Sequence, residues 1–520
     1  MALSFVLRIY NLDRRGIVEH DEGHYLLASQ LYSRSTVWVV SHATEFQTGS
    51  ANLRDLRNTI IASGGGTQNL TAKPAHYFVV AVALWLGDFQ DTAGLTPSAV
   101  FGALTIVVLF VLGQTMFDPR IALLSATVLA VSAYHIAYSR SAIPQAGSVF
   151  FDCLGVYLYY KGVQSTRHAL RFLFLASLAI ALAFVFHYNL FWQFGALFLY
   201  EGWRWWQEHR VSWRRLGIML VGFALPLLII ELCFQLVRMA LVRVSPALGQ
   251  GLGLRTYFEQ LDYQLRVNTA TGFSPSMFFY PKLFWEWEGI IVCVLIVVGT
   301  FFVARRLGKH RNLSDFIVLV QFGLPLLLWN LTSSQYSRNM VVALPFAALI
   351  AAIGLVEMIG PIPVQKKYRD ALLAASVVVI LVIGIYRALP LVNGTASYAE
   401  AARQLRRYAE IHPGTIVAKR ELGLSTDPLW RFYLGNLVDY DRAQGTVFII
   451  DRSTYTASSG NTRALLEYTR CAREILRVKN DITWYMTGDS PTNPPESVLQ
   501  QIPEANEIRL YDRRLPGTCS

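Results

Sequence analysis

The sequence predicts a polytopic α-helical membrane protein with a small α/β domain at its C-terminal end. Three observations carry that prediction. Of 520 residues, 53% are hydrophobic and only 16% are charged, whereas a soluble chain of this size carries about 25% charge. Ten apolar runs follow one another between residues 98 and 387, several of them near the roughly 20 residues that cross a bilayer. Beyond residue 389 the apolar runs stop and short alternating segments begin.

The runs lie at 98–117, 121–138, 142–160, 170–187, 188–200, 216–240, 289–304, 315–331, 340–359 and 371–387. Four basic clusters separate them: Lys161, Arg167 and Arg171; Arg204, Arg210, Arg214 and Arg215; Arg305, Arg306, Lys309 and Arg311; and Lys366, Lys367 and Arg369. Lys and Arg in short loops mark the cytoplasmic side. Placing all four clusters there puts 139–141, 187–189, 241–288, 332–339 and everything after Leu389 outside. The net charge of +11 therefore fits membrane headgroups, not nucleic acid.

Residues 75–87 are apolar but too short to cross, and crossing would break the alternation, so they are expected at the outer interface. Residues 24–40, with Tyr25, Leu26, Leu31, Tyr32, Val37 and Trp38 among polar neighbours, are expected to lie there too. Residues 1–10 resemble the last turns of a span whose beginning is missing. No cleavable signal peptide is visible. Expected domains are thus a membrane module, 1–388, with outer loops 11–97 and 241–288, and an extracytoplasmic α/β domain, 389–520. In the latter, Ser397–Ile411 and Thr462–Arg477 read as helices. Thr415–Ala418, Thr446–Ile450, Ile482–Met486 and Ile508–Tyr511 read as strands. This domain carries no recognisable catalytic motif and is expected to serve as scaffold or acceptor dock. The five cysteines have no metal-ligand spacing; Cys471 and Cys519 either pair, if the tail is extracytoplasmic, or stay as two free thiols. Gly64-Gly65-Gly66 reads as a turn, since no Lys-Ser/Thr follows.

The most informative feature is Asp21-Glu22, within Glu19-His20-Asp21-Glu22-Gly23-His24-Tyr25. Two carboxylates beside a bilayer are either solvated or kept for chemistry. Further along are Lys73-Pro74 before the short apolar helix, Ser139-Arg140 with Pro144, and an aromatic loop with Pro275, Tyr280, Pro281 and Trp285. Arg338 before Leu344-Pro345 completes the series. In this order on one face they resemble the GT-C glycosyltransferases that use polyprenyl-phosphate sugars, and most nearly the protein O-mannosyltransferase and lipid A aminoarabinose transferase branch. The resemblance covers about residues 5–360.

That resemblance implies a GT-C-like fold of about ten to eleven transmembrane helices plus interfacial helices. It implies Asp21 as catalytic base, with Glu22 orienting it, binding acceptor or sharing a metal. It also implies Lys73 and Arg338, with Arg140 third, as cations holding the donor phosphate. His76, Tyr77, His187 and Tyr280 are the candidates for contact with sugar. The implied partners are a polyprenyl-phosphate sugar donor, a lipid, glycan or protein acceptor, and membrane lipid, at the inner or plasma membrane. A divalent cation is compatible with the flanking His20 and His24. Two departures bear on this: Gln145 stands after Pro144 where an acidic residue is usual, which argues against a metal, and Ala75 replaces a second proline. The rival readings are a lipid-linked sugar transporter, for which Asp152, Glu231 and Arg238 fall in or near spans, and a non-catalytic cell-envelope assembly protein.

Overall fold

A computed structural model describes residues 2–18, 20–48, 52, 55, 70–244, 255–270, 277–331, 335–363, 365–418, 427–439, 445–451, 472–480 and 506–516. The triple glycine at 64–66, Pro275, Cys471, Cys519, the expected strand at 482–486 and the first half of the expected helix at 462–477 lie outside the described residues.

All ten apolar runs fall on helices. Among the described residues seven helices are long and apolar enough to cross a membrane, and eight if Pro119–Val131 and Ala133–Ser139, which bend by 62° at Ser132, form one span. The sequence reading of ten to eleven is higher because it includes Gln145–Gln164 and Phe191–Glu208. These fall short through composition: Asp152 and Lys161 sit in the first, and Glu201, Arg204 and Glu208 in the second. Both still pack in the bundle. Gln193 and Gln321 exchange an amide hydrogen bond of 2.7 Å, and Gln321 donates to Tyr200 at 2.6 Å. Such bonds tie helices together where apolar contact alone gives little net attraction.

The bend at Ser132 has a built cause. Ser132 caps the second helix by accepting from the His135 amide at 3.0 Å. Glu288 accepts from the Ser132 hydroxyl at 2.6 Å and the Tyr134 amide at 3.2 Å. Gly289, next along, breaks the long helix Phe279–His310 with φ of 81°, a conformation costly for any other residue. Two arginines tie the start of the chain into this region. Arg8 donates to the carbonyls of Leu129 and Ala130, and Arg140 to those of Leu7, Arg8, Tyr10 and Val392 at 2.8–3.3 Å.

The short apolar helix is Pro74–Leu86, thirteen residues long, with Phe78, Trp85 and Leu86 exposed along one side. An apolar face open in this way suits a membrane interface. The helix expected at 24–40 begins earlier, at His20, and runs to Ser41. Asp21 and Glu22 therefore occupy its first turn instead of a loop.

After the last long helix, Lys366–Asn393, comes helix Tyr398–Ile411, then a five-stranded mixed sheet. Its strands are β1 (Val417–Ala418), β2 (Val438–Asp439), β3 (Val447–Ile450), β4 (Ala472–Lys479) and β5 (Glu507–Pro516), in spatial order β2-β1-β3-β5-β4. β1 pairs parallel with β2 and β3, whereas β3 and β4 pair antiparallel with β5. The expectation of helix through Arg477 fails over its described part. Pairing with β5 overrides local preference there, and β4 lies half-buried against its neighbour. Helix Asp427–Leu434 joins the sheet to the membrane part.

Candidate active site

Asp21 stands in the first turn of helix His20–Ser41, where the helix dipole favours a carboxylate. It forms an ion pair with Arg338, from the 3₁₀ turn Ser337–Ala343 more than three hundred residues away. Four residues on from Asp21, one helical turn, the Tyr25 hydroxyl faces it at 3.5 Å. Lys73, just before helix Pro74–Leu86, donates to that same hydroxyl, and its ammonium lies 4.2 Å from the centre of the Tyr25 ring. The chain Lys73–Tyr25–Asp21–Arg338 thus joins three separate segments.

The cluster is mostly dry with an open edge. The Lys73 residue is only 7% exposed, while the side chains of Arg338 and Asp21 keep 17% and 28% exposure. Burial lowers the Lys73 ammonium to about 7; Asp21 acts against that shift and Arg338 adds to it. Burial and the Asp21 charge raise the Tyr25 phenol well above its usual range, so it stays protonated and able to donate.

The Arg338 turn is held on several sides. Tyr134 donates to the Ser337 carbonyl, and Tyr138 bonds the Ser337 hydroxyl. Asn189 donates to the Asn339 side chain at 2.8 Å. Tyr280, completely buried, donates to the Tyr336 carbonyl at 3.2 Å, and Arg338 lies 4.7 Å over the Tyr336 ring. Tyr280 therefore shapes the turn that presents Arg338, because its hydroxyl is spent on backbone.

His76, Tyr77 and His187 gather at the same site, all buried. His76 bonds the Ala142 carbonyl at 3.1 Å and meets the Tyr25 ring edge-on at 5.6 Å. Burial lowers its imidazole to about 3, with the Ala142 carbonyl acting in the opposite sense. Tyr77 packs between Tyr25 and Tyr32, at 6.0 and 5.9 Å between ring centres. His187 stacks on Tyr188 and is kept neutral by burial, with the charges of Lys73 and Arg338 adding to that shift. Tyr188 itself lies 5.5 Å from the Lys73 ammonium.

The structure narrows the roles expected for Glu22 and corrects that of Arg140. Glu22 is fully buried, and both its oxygens are engaged: by the Arg15 guanidinium at 2.9 Å and the Ala142 amide at 2.8 Å on one, and the Val18 amide at 2.7 Å on the other. A carboxylate so saturated fixes the backbone before Asp21 and offers nothing to an acceptor. Arg140 is likewise fully buried, and its two terminal nitrogens donate to the four carbonyls named above, so it staples helices together. Among the described residues no three His, Cys, Asp or Glu side chains come together to hold a metal.

Sequence reasoning missed Tyr25, Tyr188 and Tyr336. A signal existed for Tyr25: had the helix been started at His20, the i, i+4 spacing from Asp21 would have placed both on one face. For Tyr188 and Tyr336 only adjacency to His187 and Arg338 was available.

Comparison with known proteins gives a family match and a shared fold. Residues 72–232 match the family described as dolichyl-phosphate-mannose-protein mannosyltransferase. No curated protein matches the chain by sequence. ArnT from Cupriavidus metallidurans in the apo state superposes with a TM-score of 0.55 at 14% identity, covering 83% of each chain. The apo Archaeoglobus fulgidus oligosaccharyltransferase gives 0.57 at 11% identity over 91% of this chain and 72% of the other. AglB from the same organism, in complex with an inhibitory peptide and a dolichol-phosphate, gives 0.55 at 11% identity over 100% of this chain and 75% of its own. The family match is confined to residues 72–232, and over most of its length the chain shares the fold of these membrane proteins.

Proposed function

We propose that this protein transfers a glycosyl group from a polyprenyl-phosphate donor to an acceptor hydroxyl at the extracytoplasmic membrane face. The observation that carries the reading is the convergence of Asp21, Lys73 and Arg338 in one dry, open-edged cluster. Asp21 takes the acceptor proton as the oxygen attacks the anomeric carbon. The bond from that carbon to the phosphate oxygen breaks through an oxocarbenium-like state. Negative charge gathers on the departing lipid phosphate, where Arg338 and protonated Lys73 stabilise it. Tyr25 ties the Lys73 ammonium to the base, and His76, Tyr77 and His187 wall the sugar side. The dolichol-phosphate bound by AglB supports a lipid phosphate as leaving group.

Charge distribution supports the outward orientation. Helix Leu344–Ile359 leads from the Arg338 turn to Glu357, which pairs with Arg306 at 3.2 Å. Sixteen helical residues rise about 24 Å, so that basic cluster lies at the end away from the site. Arg204 and Arg215, gathered on Glu201, likewise sit at the far end of the helix that starts beside Asn189. Basic ends belong in the cytoplasm.

The test is to offer radiolabelled polyprenyl-phosphate sugars to membranes with and without the protein, followed by mass spectrometry of the product. Protein-dependent label on a new acceptor is the expected result. Movement of label across proteoliposomes with no new product would instead favour a transporter.

A further inference from the structure

We propose that Tyr433, far along the chain in helix Asp427–Leu434, is a positioning residue for Asp21. The inference rests on the reading of Asp21 as the base. It makes the C-terminal domain part of the catalytic apparatus instead of a dock beside it.

The Tyr433 hydroxyl sits between two pieces of the membrane module. It accepts from the Ile17 amide at 3.0 Å and donates to the Asp91 carboxylate at 2.6 Å. Ile17 precedes the helix that carries Asp21, and Asp91 opens the long span Asp91–Met116. One phenol therefore ties the approach to Asp21 to a fixed membrane helix. Ile17 is completely buried, so its amide has no water to turn to if the phenol oxygen is removed. Burial, with the Asp91 charge beside it, keeps this phenol protonated, as the bond to Asp91 requires.

Two further contacts press on the same segment. The Ala396 amide donates to the Arg15 carbonyl at 2.8 Å. At Gly23, two residues past Asp21, any Cβ would collide with the backbone of Pro428 and Leu429. A glycine is required there because the two helices meet backbone to backbone. From the other side, Arg15, Glu22, Ser141 and the Ala142 amide hold the same stretch. The described residues within 15–23 are thus clasped between the membrane bundle and the C-terminal domain. Lys73 and Arg338 stand on elements that this clasp does not include.

That separation gives the test its readout. In the purified full-length chain, reconstituted in lipid, Tyr433→Phe is expected to lower kcat about ten- to a hundredfold, the size of effect that small misplacement produces. The donor KM should stay as in wild type. Hydrogen–deuterium exchange should rise within residues 15–25 and stay level at 335–345. Asp91→Ala should reproduce this, whereas Asp91→Asn, which keeps an acceptor for the phenol, should retain most activity. Wild-type kcat together with wild-type exchange in Tyr433→Phe would overturn the proposal. So would a uniform rise in exchange with kcat and KM worsening together, since that marks a merely structural residue. If the wild-type protein transfers no sugar, the reading of Asp21 falls, while the exchange comparison still decides whether Tyr433 holds its segment.

Discussion

Asp21 and Glu22 are neighbours in one helical turn and have opposite fates. Around Glu22 both oxygens are engaged, by Arg15 and two backbone amides, under complete burial. Arg140 is similar in that carbonyls take both of its terminal nitrogens. Around Asp21 the charges are incompletely covered, join a lysine and an arginine from separate segments, and meet at an open edge. In a membrane protein, a buried charge is thus either masonry or chemistry. Saturation of its hydrogen-bonding capacity separates the two better than its position in a motif.

The sharpest way to break this contrast is to neutralise each carboxylate in turn. Asp21→Asn should reduce transfer by about 10²–10⁴-fold, the usual worth of a positioned base, with thermal stability unchanged. Both are read from initial rates and melting curves on purified protein. Glu22→Gln should do the reverse. It strands the buried Arg15 charge and should cost about 3–5 kcal/mol of stability, seen in denaturation, while the fraction that folds retains transfer. Equal catalytic losses with equal stability would erase the distinction.

A smaller effect concerns pH. Lys73 holds a phosphate only when protonated, and burial has lowered its ammonium to about 7. Raising pH through that value removes the positive charge, so donor affinity should weaken above pH 7, approaching tenfold per pH unit. Bound phosphate favours the protonated form, so binding takes up a proton and the midpoint in the complex lies higher. Donor KM measured from pH 6 to 9 should rise, and in Lys73→Arg the rise should flatten.

Much of this was legible in the sequence. Apolar run lengths located ten stretches that fall on helices. Asp21, Lys73 and Arg338 stood out through their order along the chain and the resemblance that this order carries. Arg140 was misread for a physical reason: an arginine at a helix end serves a phosphate or a set of carbonyls equally well, and only the fold decides. For Glu22 three roles stood open in the sequence, and its partners Arg15, Val18 and Ala142 favour the one of orienting Asp21. Tyr433 was invisible, since nothing local at residue 433 points to Ile17. Strand β4 was mistaken for helix because pairing with β5 is a long-range contact.

The most direct measurement is the affinity of a polyprenyl phosphate for the purified protein and for two single variants. Arg338→Gln should weaken binding at least about tenfold, as loss of a charge-assisted contact does. Asp21→Asn should bind the lipid phosphate as tightly as wild type or more tightly, because it releases Arg338 from its ion pair and removes a repelling carboxylate. Wild-type affinity in Arg338→Gln, or weakened binding in Asp21→Asn, would contradict a single donor-phosphate site built on these residues.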